Sequence, residues 1–211
     1  MFKLLRYSIL LTVVIFLMLV GGGLRGTTIA VTGPSILSTS NGKLSTPVTI
    51  PVAYCSLGIL SYGLNVASSA FPDLICLGTS YTYGAMVFHD SGNEFTYLEF
   101  IVPAGIQSFD VDFIWQSSST SQTVKWTVAS VCVANGSDML NPTFNATQTI
   151  SQTSGGTANT LSDASQIAVT QTGCAAGNKE IWRLGRDVTD GSTVDNYLDA
   201  IRITPHGQPQ S

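Results

Sequence analysis

Hydrophobic and polar residues alternate along much of the chain between residues 93 and 204, and this alternation predicts β-strands. The clearest example lies at 109–115. One face of this segment carries four large apolar residues, namely Phe109, Val111, Phe113 and Trp115. Asp110 and Asp112 share the opposite face, so the strand is expected to have one buried and one wet side.

The same pattern, interrupted by turns rich in Gly, Ser, Thr and Asn, predicts about eight strands. They are expected at 83–88, 95–102, 109–115, 124–128, 147–153, 166–170, 181–186 and 197–204. Many short strands without an intervening helix indicate an all-β fold, an antiparallel jelly-roll-like β-sandwich. We assign this domain to residues 81–205 and a short tail to residues 206–211.

The N-terminus predicts export. Lys3 and Arg6 precede an apolar stretch at 7–20, which is followed by three glycines, and small residues occupy 28–30. This is the pattern of a signal peptide. The alternative is an uncleaved transmembrane helix, because the 18 residues from 7 to 24 reach the lower limit for spanning a bilayer. Residues 1–30 are therefore a signal or anchor helix, and the protein is expected outside the cell or on its surface.

Residues 31–80 connect this segment to the domain. Pro34, Pro47 and Pro51 prevent a central strand and predict an extended arm or edge strands. Residues 55–80 are predicted to form a loop closed by a disulfide. We hypothesise that the arm at 27–50 either lies on its own domain or adds as a strand to the sheet edge of a neighbouring molecule.

The chain has four cysteines, Cys55, Cys76, Cys132 and Cys174. An even number in an exported chain indicates two disulfides, and three pairings are available. We favour Cys55–Cys76 with Cys132–Cys174 because both loops are then local. A zinc site is disfavoured, because no C-x-x-C motif occurs and both histidines are far from the cysteines in sequence.

Composition narrows the class of partner. Charged residues make up 10% of the chain and hydrophobic residues 44%, which argues against disorder. The first 30 residues hold three basic residues and no acid, so the rest carries a formal charge of −7, three units below the whole-chain value of −4. An acidic domain disfavours nucleic-acid binding. We expect self-association, other surface proteins or a glycan as partners, and membrane contact only through the N-terminal segment.

The order of short motifs in the C-terminal two-thirds resembles a jelly-roll-like domain of tailed-phage tail or fibre proteins and of related uncharacterised secreted proteins. The resemblance covers about residues 80–204. It is carried by Tyr97-x-x-Phe100-x-Val102-Pro103, Val111-x-Phe113-x-Trp115, Val124-x-Trp126, Asn135-Gly136-Ser137-Asp138, Gly155-Gly156-Thr157-Ala158-Asn159, Ala175-Ala176-Gly177-Asn178, Arg186-Asp187-x-x-Asp190, Asp195 and Asp199-Ala200-Ile201-Arg202-Ile203. The resemblance implies a structural or surface-display role without catalysis. Together with the export segment, it suggests a secreted relative in an appendage, matrix or surface coat.

The strongest polar cluster follows Arg186 and contains the carboxylates of Asp187, Asp190, Asp195 and Asp199. These oxygens are candidate ligands for Ca²⁺, which prefers six to eight oxygen atoms. The alternative is an Asp-capped turn in which Arg186 pairs with a nearby carboxylate, and Asp beside Gly favours this turn. No other cofactor is predicted.

Two further patterns bear on catalysis. Asp110 and Asp112 could serve as the paired acids of a glycoside hydrolase, although strand alternation explains both as the wet face. His89 lies beside Asp90, but the chain has no G-x-S-x-G motif for a serine nucleophile. The protein is therefore predicted not to be an enzyme.

A glycan-binding surface is the main alternative function. Tyr81, Tyr83, Tyr97 and Trp182 are candidates for it, because sugars stack on two or three aromatic rings exposed on one surface. Core packing is the competing explanation for these rings. Our primary interpretation is a secreted structural or interaction protein, a subunit of an extracellular assembly. A carbohydrate-binding module is the alternative, and a glycoside hydrolase is third.

Two glycosylation sequons occur, at Asn135 and Asn145. Each has Ser or Thr two positions later and no intervening proline. They are acceptor sites only in a host that glycosylates exported proteins.

Overall fold

The computed structural model describes residues 47–56, 59–62, 64–66, 70–79, 82–164 and 167–207. These residues form fourteen strands and one 3-10 helix, Val188–Asp190. The strands are β1 (Val48–Pro51), β2 (Ala53–Ser56), β3 (Ile59–Tyr62), β4 (Asn65–Val66), β5 (Asp73–Leu77), β6 (Tyr83–Phe88), β7 (Phe95–Ile101), β8 (Ile106–Ser117), β9 (Thr123–Val133), β10 (Gln148–Thr153), β11 (Ser162–Asp163), β12 (Ile167–Val169), β13 (Lys179–Arg186) and β14 (Asn196–Gly207).

These strands build two sheets. The nine-stranded sheet has the order β11-β8-β14-β6-β2-β3, with β1 beside β14, β12 beside β8 and β5 beside β6. The five-stranded sheet has the order β10-β9-β13-β7-β4. Every strand pair within the described residues is antiparallel. The buried faces of the two sheets supply one shared hydrophobic core, which makes the fold an antiparallel β-sandwich.

Aromatic side chains join the two sheets across this core. Trp126 on β9 stacks on Phe113 of β8, with ring centroids 5.3 Å apart and planes 10° apart. Trp115 meets the same indole edge-on at 5.8 Å. Each such pair contributes about 0.5–1.5 kcal/mol beyond area burial. The alternation of large apolar residues along β8 and β9 therefore directly creates the contact between the sheets.

A second aromatic group lies elsewhere in the core. Phe100, Phe109 and Trp182 come from β7, β8 and β13, and their ring centroids are 5.0–5.6 Å apart. Trp182 is fully buried within this group. Its indole Nε1 donates a hydrogen bond to Glu180 Oε1 at 2.6 Å, and burial raises the pKa of Glu180.

The predicted all-β antiparallel sandwich is confirmed, and each of the eight predicted strands is present. The strand at 83–88 has the predicted ends, and the other seven have shifted ends. The predicted loop at 55–80 is closed by the Cys55–Cys76 disulfide, but it is not free of strands. Ile59–Tyr62 pairs with β2, Asn65–Val66 with β7 and Asp73–Leu77 with β6. The prediction missed them because their short apolar runs carry no clear alternation. The N-terminal signal or anchor helix lies outside the described residues.

Part of the predicted arm belongs to the sandwich. Val48–Pro51 pairs with β14 of the same chain, from Val48 opposite Ile203 to Pro51 opposite Ala200. Among the described residues, no other strand pairs with it. This portion of the arm therefore lies on its own domain, and residues 27–46 lie outside the described part.

The structure contains the favoured disulfide pairing, Cys55–Cys76 and Cys132–Cys174. The Cα–Cα distances are 5.9 and 5.2 Å, within the usual range for disulfides. The first bond joins β2 to β5, and the second joins β9 to the loop before β13. Two disulfides are consistent with an extracellular protein. Within the described ranges, no helix is long and apolar enough to cross a membrane.

Candidate functional site

The segment 187–199 folds around the guanidinium group of Arg186. Its Nε donates to Asp190 Oδ2 at 2.8 Å and its Nη2 donates to Asp190 Oδ1 at 3.3 Å. Both side chains are almost completely buried, with exposures of 1% and 0%. The guanidinium also donates to four backbone carbonyls, those of Phe88, His89, Ser192 and Val194. Asp190 therefore pairs with Arg186 in a turn, which is the arrangement predicted from the sequence as the alternative to a Ca²⁺ site.

The other aspartates of this segment have separate roles. Asp187 caps the 3-10 helix by accepting a hydrogen bond from Thr189 N at 2.9 Å, and this bond lowers the pKa of Asp187. The Asp195 backbone carbonyl accepts a hydrogen bond from Ser118 Oγ at 3.3 Å. Within the part of the chain that the structure describes, no group of three or more His, Cys, Asp or Glu is arranged to hold a metal ion.

Asp199 lies at an irregularity of β14, where the pairing with β8 shifts register between Leu198 and Ala200. Gln116 Nε2 donates to both Asp199 carboxylate oxygens, at 3.1 and 3.0 Å, and to Tyr83 Oη at 2.5 Å. Burial raises the pKa of Asp199 to about 6, because it outweighs the opposing effect of the Gln116 hydrogen bond. Tyr83 therefore belongs to a polar cluster on the nine-stranded sheet.

The face of β8 predicted to be wet carries ion pairs, and the prediction is wrong for Asp112, which is only 5% exposed because neighbouring side chains cover it. Arg202 Nε donates to Asp112 Oδ2 at 2.9 Å, and Arg202 Nη2 donates to Asp163 Oδ2 at 2.6 Å. Burial raises the pKa of Asp112, with Arg202 opposing the shift. Asp110 contacts His206 Nε2. The two carboxylates proposed as paired acids are thus engaged by different basic side chains.

The four glycan-binding candidates do not form one surface. Tyr83 lies on β6 of the nine-stranded sheet, whereas Tyr97 lies on β7 of the five-stranded sheet. Trp182 has no exposed surface, so its proposed place on an exposed platform is wrong. Side chains alternate along β13, and Trp182 lies on the face of the strand that packs in the core between the sheets. Tyr81 lies outside the described residues.

Tyr97 instead belongs to a group on the outer side of the five-stranded sheet. Phe95 and Tyr97 are two positions apart in β7, so their side chains lie on the same face of the strand. Arg183 of β13 is directly opposite Tyr97 in the strand pairing. The Arg183 Cζ atom lies 4.8 Å from the centroid of the Phe95 ring and 4.9 Å from that of Phe144. The rings of Tyr97 and Phe144 are 6.2 Å apart. We call Phe95, Tyr97, Phe144 and Arg183 the aromatic face; all four are half-buried.

Local features of the chain position these side chains. Gly185 is opposite Phe95, and a Cβ atom at Gly185 would lie 2.6 Å from Phe95 Cδ1. The missing side chain therefore leaves space for the Phe95 ring beside Arg183. Asn145 fixes the loop that carries Phe144, because its backbone N donates to Ser130 O at 2.8 Å and its Nδ2 donates to Ser130 Oγ at 3.1 Å.

Sequence reasoning missed three members of the aromatic face, Phe95, Phe144 and Arg183. The available signal was the spacing of Phe95 and Tyr97, which places their side chains on the same side of a strand. Phe144 had no such signal because it comes from the loop between β9 and β10. Nothing in the local sequence indicates that this loop returns to the sheet.

The two sequons differ in their surroundings. Asn135 is exposed in a turn closed by the hydrogen bond from Ser137 N to Ala134 O at 3.1 Å. The Asn145 Nδ2 atom is already bonded to Ser130 Oγ and, at 3.4 Å, to Thr170 O. The structure thus leaves the Asn135 amide more open to modification than the Asn145 amide.

His89 pairs with Glu94 rather than with the adjacent Asp90. The distance from His89 Nδ1 to Glu94 Oε1 is 2.8 Å, and a weaker ion pair joins His89 Nε2 to Asp73 Oδ2 at 3.6 Å. The hydrogen bond to Glu94 raises the pKa of His89. The His89 imidazole therefore forms an ion pair with Glu94 just after β6.

The chain is similar to several solved structures. No family model and no curated protein matches the chain. Isomalto-dextranase from Arthrobacter globiformis T6 is 14% identical, with a TM-score of 0.48, over 74% of this chain and 23% of the enzyme. CBM35 from Cellvibrio japonicus Abf62 is 10% identical, with a TM-score of 0.44, over 77% of this chain and 95% of CBM35.

A third similar structure is the CBM36-1 domain of a multidomain xylanase from the hindgut metagenome of Trinervitermes trinervoides. It is 10% identical, with a TM-score of 0.45, over 77% of this chain and 100% of the domain. None of these three is a phage structural protein. The resemblance to tailed-phage proteins stays a prediction beyond the β-sandwich itself.

Proposed function

We propose that this chain is an exported, non-catalytic glycan-binding protein that uses the aromatic face of its five-stranded sheet. The observation that carries the proposal is the grouping of Phe95, Tyr97 and Phe144 around Arg183 on one outer surface. Aromatic rings pack against the apolar C–H face of a sugar, and a nearby polar group can fix its orientation.

The support beneath this surface favours binding without rearrangement. β7 pairs with β13 on one side and with β4 on the other, so the backbone that carries Phe95 and Tyr97 is held in a sheet. Beneath the outer surface, Val131, Val133 and Ile181 form a small buried cluster against which Tyr97 and Phe144 pack. A site whose rings are already positioned loses less entropy on binding.

The carboxylates support a non-catalytic role. Glycoside hydrolases need a carboxylic acid and a carboxylate on either side of the sugar bond. Here Asp112 is held by Arg202 and Asp110 contacts His206, both on the other sheet from the aromatic face. The two disulfides support an extracellular location.

The test is affinity electrophoresis of the full chain against a panel of soluble polysaccharides. Tyr97→Ala and Phe144→Ala should each weaken binding by about 0.5–1.5 kcal/mol, the contribution of a packed ring. Tyr54→Ala removes a tyrosine that is 48% exposed on the other sheet and is the matched control. Binding to no polysaccharide, or equal losses with all three variants, would overturn the proposal. Release of new reducing ends would contradict its non-catalytic part.

A second candidate function, self-association in an extracellular assembly, is favoured by a different surface. Met139 and Leu140 lie at the tip of the loop after β9, with exposures of 48% and 88%. Adjacent exposed apolar side chains favour contact with another protein. Light scattering of the wild type and of Leu140→Ser tests this: an oligomer that the variant dissociates supports it, and a monomeric wild type rules it out.

A further inference from the structure

We infer that the aromatic face binds acidic polysaccharides, and that Arg183 binds the carboxylate group of a uronic acid residue. This inference rests on the proposed glycan-binding function and names its ligand class. The three arginines in the described residues differ in their surroundings. Arg186 and Arg202 each donate hydrogen bonds to a carboxylate. Within those same residues, no oxygen accepts a hydrogen bond from the Arg183 guanidinium and no carboxylate pairs with it.

This difference is notable in an acidic chain. The formal net charge is −4, so carboxylates outnumber basic side chains. The neighbouring base on the same face of β13, Lys179, pairs with Glu99. A guanidinium has five N–H donors and remains charged at all relevant pH values. Arg183 therefore keeps an unneutralised charge and unused donors on the aromatic face.

The rings fix the position of this charge without using its donors. Phe95 and Phe144 lie within 4.9 Å of Arg183 Cζ, which is the distance of a cation–π contact. Such a contact involves the flat face of the guanidinium and leaves N–H groups at its edge. Gly185 provides the space for the Phe95 ring, and Asn145 anchors the loop of Phe144. The guanidinium is thus held in place before a ligand arrives.

A carboxylate matches this site because two parallel N–H···O hydrogen bonds join it to a guanidinium. A uronic acid residue carries such a carboxylate at the edge of a sugar ring. Its C–H face can then pack on Tyr97 or Phe144, the rings that touch each other beside Arg183. A neutral sugar offers the rings the same packing but leaves the charge of Arg183 without a counterion.

The experiment measures binding of the full chain to polygalacturonate and to the same polymer after its carboxylates are reduced to alcohols. Poly-glutamate is the third probe, because an acidic peptide has the same carboxylate chemistry. Titrations are made at about 0.05 M and about 0.5 M salt to separate a held ion pair from diffuse attraction. The variants are Arg183→Gln and Arg183→Lys. Lys125→Gln, on the same side of the sheet, is the charge-matched control.

We expect polygalacturonate to bind about tenfold more tightly than the reduced polymer, and Arg183→Gln to remove most of this difference. Arg183→Lys keeps the charge but loses the two-pronged geometry, so it should recover only part of the affinity. Lys125→Gln should bind like the wild type. Thermal unfolding of each variant checks that it is folded. If Arg183→Gln does not fold, the comparison of Arg183→Lys with the wild type still tests the inference.

Other outcomes overturn the inference in distinguishable ways. Equal binding of both polymers, with loss in Tyr97→Ala but not in Arg183→Gln, would keep the glycan-binding function and reject the role of Arg183. Binding of neither polymer, with binding of another polysaccharide of the panel, would reject the acidic ligand alone. Binding to no member of the panel would reject the function itself. Tighter binding of poly-glutamate than of polygalacturonate would reject an acidic polysaccharide as the ligand.

Discussion

Arg186 and Asp190 form a buried two-pronged ion pair, with Nε donating to Oδ2 at 2.8 Å and Nη2 donating to Oδ1 at 3.3 Å. Arg186 belongs to β13 of the five-stranded sheet, yet it also donates to the carbonyl oxygen of Phe88 at the end of β6 in the other sheet. A single guanidinium therefore ties both sheets to the loop that precedes β14. Such a pair stabilises a structure only while both partners are present.

Removal of the carboxylate charge should destabilise the protein strongly. Asp190→Asn leaves the buried guanidinium of Arg186 without its counterion, and breaking a buried pair in this way costs about 3–5 kcal/mol. Urea unfolding followed by tryptophan fluorescence measures the loss. Asp187→Asn, in the same loop but only half-buried, is the control and should cost about 1 kcal/mol or less, as for a weakened helix cap. Similar losses in both variants would contradict this role for Asp190.

Asp199 should make stability depend on pH. Its folded pKa is about 6 against an ordinary value of 3.8, so the folded state holds a proton more tightly than the unfolded state. The stabilisation from that proton is fully present below the unfolded pKa and is lost as the pH rises through about 6. Asp199→Asn stays neutral at every pH. It should therefore gain stability relative to the wild type on going from about pH 4 to about pH 7, by about 1–2 kcal/mol.

Unfolding midpoints measured across that pH range check the Asp199 prediction. Asp90→Asn, which removes a carboxylate at an exposed position, is the control and should follow the wild type. A constant difference between Asp199→Asn and the wild type at all pH values would show that the folded state does not retain the proton.

The two disulfides should differ slightly in their contribution. They close loops with sequence separations of 21 and 42 residues. The chain-entropy model assigns about 3.3 and about 3.9 kcal/mol to loops of these lengths. Replacing Cys132 and Cys174 by alanine should thus cost about 0.6 kcal/mol more than the same change at Cys55 and Cys76. Denaturant titrations of both double variants test the order, and the reverse order would mean that unfolded-state entropy is not the main term.

Gly84 should tolerate no side chain. A Cβ atom there would lie 2.6 Å from the Ala53 backbone carbon, where β2 crosses close to β6. Backbone cannot move aside cheaply, so Gly84→Ala should cost about 1–3 kcal/mol through overpacking. Gly156→Ala is the matched control, because nothing lies within 4 Å of its Cβ position, and its effect should stay within about 0.5 kcal/mol. Equal thermal midpoints for the two variants would contradict the close approach of these strands.

Alternation with a period of two residues is enough to predict the sandwich from the sequence, because it identifies both the strands and the residues that share a face. The sequence placed Phe113 and Trp115 in the core, and it indicated the pairing of Arg186 with a carboxylate close by in the chain. The favoured disulfide pairing was also within reach, since both bonds close local loops. These features depend on contacts between neighbouring residues or on the strand repeat.

Tertiary structure alone decided which face of β13 is covered, and so buried Trp182 while leaving Arg183 on the outer surface. Alternation shows that these two side chains point in opposite directions, but it does not say which direction leads to the other sheet. Phe144 reaches Arg183 only because a loop from between β9 and β10 folds back over the sheet. Such contacts bring together residues far apart in the chain, and no local pattern of side chains encodes them.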